Sequence, residues 1–150
     1  MKYMEMGRIG ILLMICLGWS LSGLSQSEIL GVWLNEDKDG KIKVFKQNGK
    51  YYGEIIWIKD NTNDDGSSPK LDRNNPDEKK RSRPIVGTRI LKDLEWDSRD
   101  EEWNEGEIYD PKSGNTYDVF ARLEDARTLY LKGFIGFTLI GRSTLWTRVE

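Results

Sequence analysis

Two stretches of the chain carry side-chain oxygens at the spacing of a cation-binding loop. Asn61, Asn63 and Asp65 stand at alternate positions, Gly66 follows, and Asp72 comes later in the same segment. An EF-hand loop converges oxygens in this order on calcium, with a bidentate Glu completing the set. Here Asn replaces the first Asp, Asp replaces the last Glu, and no helical pattern flanks the loop. Asn35, Asp37, Asp39 and Gly40 begin the same pattern but offer Lys46 where the closing carboxylate is needed. Polar turns are the expected use of both, and no metal or cofactor is expected. Lys79, Lys80, Arg81 and Arg83 form a basic run that suits a phosphate or carboxylate. Asp77 and Glu78 adjoin it, so charge at a helix end explains most of it. Asp97, Asp100, Glu101, Glu102, Glu105 and Glu107 crowd one segment. Acid–base hydrolysis needs two carboxyls at a set separation, and no spacing here singles out a pair. The 150-residue chain contains no histidine and a single cysteine, Cys16. That excludes His-dependent triads, His-ligated zinc, intrachain disulfides and Cys-rich metal sites. No catalytic residue is expected, and the chain does not read as an enzyme.

What remains is set by the elements. Lys2 and Arg8 precede an apolar run from Ile9 to Leu24, and Gly23 and Ser25 place small residues two apart. This is the order of a secretory signal, residues 1–25, cleaved after Ser25. The apolar run, about 15 residues, is shorter than the ~20 needed to span a bilayer. Bulky Ile15 before Cys16 does not suit lipid attachment. The expected product is a single domain, 26–150, exported to the periplasm or beyond, with no membrane span. Removing Lys2, Arg8 and Glu5 from 23 basic and 25 acidic side chains leaves 21 against 24. Such a balance does not suit a nucleic-acid binder. Without cysteines, the exported domain must stand on its core.

A period of two dominates that domain. It predicts strands near 30–35, 41–47, 50–59, 86–95, 103–109, 115–123, 128–135 and 142–149, joined mostly by short turns. The expected fold is all-β, an eight-stranded antiparallel up-and-down barrel, since closure removes exposed edges. Asn48-Gly49 suits a type I′ turn. It pairs Gln47 with Lys50, Val44 with Gly53 and Ile42 with Ile55, and points Trp57 inward while Ile56 and Ile58 face out. A three-residue turn at 125–127 sets Val119 opposite Gly133. Residues 60–84 form one long polar loop, in which Asn75-Pro76-Asp77-Glu78 predicts the start of a short helix.

The terminal strands must zip together. Gly31 and Trp33 open the first, and Arg142, Thr144, Trp146 and Arg148 share one face of the last. Arg148 is expected over the Trp33 indole, as structural closure of the barrel. A barrel of this size either fills with side chains or holds one ligand, and Gly53, Ala121 and Gly133 are small inward residues. The expected function is non-enzymatic binding of a small apolar or amphiphilic molecule, by Tyr51, Trp57 and Tyr117 with Arg142 as polar anchor. The alternative is an envelope module that meets a protein partner through Phe45, Tyr52, Ile56, Ile58, Phe120 and Tyr130, or through the 60–84 loop.

Gly31-Val32-Trp33 with a late Arg148 resembles the lipocalin-like, or calycin, barrels. A closer resemblance covers nearly all of the mature chain, to the bacterial exported domain-of-unknown-function family 2147. Arg83-Pro84-Ile85-Val86-Gly87, Tyr109-Asp110-Pro111-Lys112-Ser113-Gly114-Asn115-Thr116-Tyr117, Gly133-Phe134-Ile135-Gly136 and Trp146-Thr147-Arg148 carry it. So do Asp39-Gly40-Lys41-Ile42, Asn48-Gly49 with Tyr52-Gly53, and Asn75-Pro76-Asp77. The resemblance implies a lipocalin-like barrel in the bacterial envelope and supplies no activity. Many members carry cysteines near the turn before the last strand, where this chain has Phe134 and Gly141, and Lys132 stands where the family tends to have Arg.

Overall fold

Two-residue alternation becomes eight strands in the computed structural model, which describes residues 26–136 and 141–149. They are β1 (Gly31–Leu34), β2 (Gly40–Gln47), β3 (Lys50–Ile58), β4 (Arg89–Asp97), β5 (Glu102–Asp110), β6 (Asn115–Asp125), β7 (Thr128–Phe134) and β8 (Ser143–Arg148). Each pairs antiparallel with the next, and β8 returns to β1, so the sheet is a closed barrel. The expected signal segment, 1–25, lies outside the described residues. No helix among the described residues is long and apolar enough to cross a membrane.

The hairpin registers follow the turn chemistry. Asn48 and Gly49 both take positive φ, 51° and 81°, and the ladder runs Gln47 to Lys50, Val44 to Gly53 and Ile42 to Ile55. Val119 faces Gly133. The extra residue in that hairpin sits in a bulge between Leu123 and Asp125, which leaves a two-residue turn and the same parity.

A second bulge overturns two expectations. Ile55 pairs with Ile42, but Lys41 pairs with Trp57, so Ile56 is an unmatched residue on β3. One inserted residue exchanges the faces beyond it. Trp57 therefore faces out, 40% exposed, with Lys41 Nζ 5.5 Å from its ring centroid. Ile58, expected outside, turns in. Bulges at Asp93 (φ 57°) and Glu105 (φ 59°) act likewise on β4 and β5. They let Leu91 and Leu94, and Trp103 and Gly106, be buried across an odd spacing.

The expected short helix is one 3-10 turn, Glu78–Lys80, but its cap is Asp77 rather than Asn75, and Asp77 accepts from Lys79 N. Asn75 is committed elsewhere, since its side chain accepts from Asp77 N and donates to Asp72.

The barrel closes where the termini meet. Trp33 pairs with Arg148, whose Cζ lies 4.2 Å from the indole centroid. The guanidinium donates to the carbonyls of Ala126 (2.9 Å) and Leu30 (2.7 Å) and to that of Glu28. Partial burial draws its pKa down, yet an arginine stays charged. Trp33 Nε1 donates to Ile29 O at 2.9 Å, and both residues are fully buried. Trp103 is equally buried, but its Nε1 has no partner among the described residues. Trp33→Phe strands the Ile29 carbonyl and weakens the stack, whereas Trp103→Phe removes an orphan donor. The first is expected to cost about 1–2 kcal/mol more than the second. Urea unfolding of the two variants measures that difference.

Candidate functional site

The two ends of the barrel are built differently. At one end lie the tight turns at 48–49, 98–101 and 126–127. Here Tyr51 packs edge-on to Trp103, centroids 6.1 Å apart, and Trp96 meets Trp103 at 4.5 Å. These rings fill the interior. At the other end lie the β1–β2, β3–β4 and β5–β6 connections, and with Gly141 and Arg142 before β8 they surround a cavity of about 990 Å³.

The cavity has two unlike walls. Ile42, Ile55, Ile58 and Ile90 from β2, β3 and β4 make one purely aliphatic, with Ile85 added from the β3–β4 connection. The other, from β5 to β8, includes Ile108, Val119 and Leu131 and also carries Tyr117, Thr144 and Trp146. Arg142 stands at its rim.

The inward glycines do different things. A Cβ on Gly53 would lie 2.9 Å from Leu91 Cδ1, and one on Gly106 2.6 Å from Leu94. Both give way to a packed leucine. A Cβ on Gly133 would find nothing closer than Tyr117 Cβ at 3.4 Å, an ordinary contact. Gly133 borders the cavity, so its missing side chain leaves space there.

The rim is tied by polar contacts. Asp72 of the long loop is buried, and its carboxylate accepts from Tyr109 OH (2.6 Å) and Asn75 Nδ2 (2.7 Å). Burial, and then the Asp72 carboxylate, push the Tyr109 hydroxyl pKa up. Asn74 Nδ2 donates to Lys112 O at 2.9 Å. Gly114 has φ +77°, and a Cβ there would lie 2.0 Å from Asn74 O. Only glycine serves that approach. Lys112 Nζ then reaches Asp39 Oδ2 at 2.9 Å and Asp37 Oδ2 at 3.6 Å. The β1–β2 loop, the long loop and the β5–β6 turn are thus one assembly.

Asp39 reports on this assembly. Its pKa is lowered, first by the hydrogen bond from Asn35 and then by Lys112. A lowered carboxylate stabilises the fold above its unfolded value, ~3.9, and this is lost as pH falls through the lower folded value. An NMR titration of the Asp39 carboxyl is expected to show a midpoint below ~3.9. Asn35→Ala should raise that midpoint more than Lys112→Met does.

The structure separates the residues singled out by sequence. Tyr117 and Arg142 line the cavity. Tyr51 lies inside the barrel but belongs to the filled end, 1% exposed, and Trp57 is outside. The oxygens of the calcium-like loop do not converge. Asn63 Oδ1 accepts from Leu71 N, Asn61 Oδ1 from Lys70 N, and Asp65 pairs with Arg73 at 3.1 Å. Within the basic run, Lys80 pairs with Asp77 (3.3 Å) and Arg81 with Glu78 (3.4 Å). Asp97 meets Arg99 at 2.8 Å, and hydrogen bonds from Arg99 draw its carboxyl down to about 2. The proposed outer patch is two patches, because β2–β3 and β6–β7 lie on opposite sides of the barrel. Each carries its own cation: Arg89 is 5.2 Å from Phe45 and 4.9 Å from Tyr52, and Arg122 is 4.6 Å from Tyr130. Ile58 and Ile85 were not legible as lining, since a bulge turns the first and the β3–β4 connection carries the second, whereas Thr144 shares the face of Arg142.

Comparison with known proteins agrees with this architecture. The family described as "Uncharacterized protein conserved in bacteria (DUF2147)" matches residues 31–148. The solved structure described as "Protein HP1028 from the human pathogen Helicobacter pylori belongs to the lipocalin family" is similar, with a TM-score of 0.68 and 25% sequence identity. The match covers 81% of this chain and 82% of that one. None of the curated proteins matches the sequence.

Proposed function

The chain belongs to the DUF2147 family, and on its lipocalin-like barrel we propose a non-enzymatic function, the binding of one small, partly apolar molecule at the open end. The observation that carries this is a cavity of about 990 Å³ with a continuous aliphatic wall. Ligand sites are concave, mostly apolar and about 300–1,000 Å³ in volume, with a few polar groups to fix orientation. Hydrocarbon moved from water onto the isoleucine wall contributes about 0.8 kcal/mol per CH₂. Tyr117 and Arg142 supply the polar groups. With export through the 1–25 segment, the protein acts as a carrier or sensor in the bacterial envelope. The outer face gives less support to a protein-interaction module, because the aromatic pairs there are already covered by Arg89 and Arg122.

The test is direct. Protein purified from the envelope of expressing cells is examined by native mass spectrometry, and its organic extract is analysed. The neutral dye N-phenyl-1-naphthylamine is titrated into the stripped protein in parallel. A bound small molecule, and saturable dye fluorescence with quenching of Trp146, are the expected results. No released species and no saturable dye binding would end this reading.

A further inference from the structure

We propose that the ligand carries one carboxylate-type anionic headgroup, seated beside Gly133 between Tyr117 and Arg142, with its hydrocarbon chain against the isoleucine wall. This inference rests on the reading of the cavity as a binding site and adds the chemical class of what it takes.

Below the rim, the strand residues that line the cavity keep their hydrogen-bonding side chains on one side. β2, β3 and β4 contribute Ile42, Ile55, Ile58 and Ile90 to the lining, none with a polar side chain. The donors are Tyr117 of β6, Thr144 and the Trp146 indole N–H of β8, and Arg142, which immediately precedes β8. Those strands flank β7, and at this level β7 contributes Gly133. The Cβ position of Gly133 is 3.4 Å from Tyr117 Cβ and 3.8 Å from Arg142 O, and Gly133 N donates to that same carbonyl at 2.9 Å. A residue without a side chain thus lies between the Cβ of Tyr117 and the backbone of Arg142, where both side chains line the same cavity.

Three of these donors are unspent. Among the described residues, neither the Tyr117 hydroxyl, the Thr144 hydroxyl nor the Arg142 guanidinium has a hydrogen-bond or ion-pair partner. Most other charges on the rim are engaged. Lys112 is held by Asp39 and Asp37. Asp60 accepts from Thr62, and Asp110 from Ser113. Lys59 and Lys70 add positive charge elsewhere on the rim, and Glu36 is the rim carboxylate without such a partner among the described residues. A guanidinium donates to two oxygens side by side, and a carboxylate presents two acceptors. One guanidinium with two hydroxyls matches a single negative charge. A hydrocarbon chain extending from that head meets the aliphatic wall.

Displacement of N-phenyl-1-naphthylamine by three probes of equal chain length tests this: dodecanoate, dodecanol and dodecyltrimethylammonium, each kept below its micellar concentration. Dodecanoate is expected to displace the dye at a concentration about tenfold or more below that of dodecanol, with the ammonium weakest. Arg142→Gln is expected to collapse the dodecanoate-to-dodecanol ratio to near one, and Arg142→Lys to retain part of it. Equal potency of dodecanoate and dodecanol on the unaltered protein, or a preference for the ammonium, would overturn the headgroup site while dye binding keeps the cavity reading. Absence of dye binding overturns both. The decisive ratio comes from the unaltered protein, so it does not depend on a variant folding.

Discussion

Arg148→Ala is expected to lower the melting temperature by about 10 °C. The substitution removes the cation over the Trp33 indole and leaves the carbonyls of Ala126, Leu30 and Glu28 without their donor. Stacking of this kind is worth about 0.5–2 kcal/mol, and charge-assisted hydrogen bonds are stronger than neutral ones. Partial exposure lets water replace some of these bonds, so the net loss is about 2–3 kcal/mol. For a domain of this size that corresponds to a shift of about 10 °C. The location matters as much as the sum, because β1 is four residues long and the β1–β8 ladder is short. A lysine cannot reach three carbonyls in one plane, so Arg148→Lys should recover only part of the loss. Thermal unfolding followed by circular dichroism measures both variants. A loss below 1 °C in Arg148→Ala would mean that the ladder alone closes the barrel.

The second large effect separates packing from binding. Gly106→Ala sets a methyl 2.6 Å from Leu94 and 2.9 Å from the carbonyl of Lys92. Backbone cannot step aside as a side-chain tip can, so this methyl is expected to cost about 1–3 kcal/mol. Gly133→Val begins from an ordinary 3.4 Å contact and projects into the cavity. A β-branched residue also suits a strand better than glycine does. Its stability should change by less than about 1 kcal/mol. Binding of N-phenyl-1-naphthylamine should weaken about tenfold or more as the space fills. Paired dye titrations and melting curves check the contrast. If Gly133→Val melts early and Gly106→Ala does not, the assignment of the two glycines is reversed.

These contrasts mark how far the chain could be read without its fold. Alternation, the Asn48-Gly49 turn and the Gly31-Val32-Trp33 and Arg148 pairing are local or terminal signals. A period of two and a turn of known handedness fix register, and register fixes which side chains meet across a hairpin. The position of Gly133 opposite Val119 was accessible in this way, and so was the lining role of Tyr117. The short helix in the long loop forms as a single turn, but its cap moves from Asn75 to Asp77 because the Asn75 side chain is drawn to Asp72, a contact that no spacing rule contains. Trp57 was misplaced by a single inserted residue. Alternation holds only until the first bulge, and nothing in Lys41-Ile42 or Ile56-Trp57 announces one.

By itself, then, the sequence determined an all-β chain, its strand order and its closing pair, because each depends on periodicity and on neighbours along the chain. Only the tertiary structure decided that one end of the barrel is filled by Tyr51, Trp96 and Trp103 while the other is hollow. It also decided which glycine makes room for a leucine and which borders the cavity. Volume is shared among residues far apart in sequence. Whether a small side chain makes a contact or a cavity depends on what the opposite wall brings to the same place.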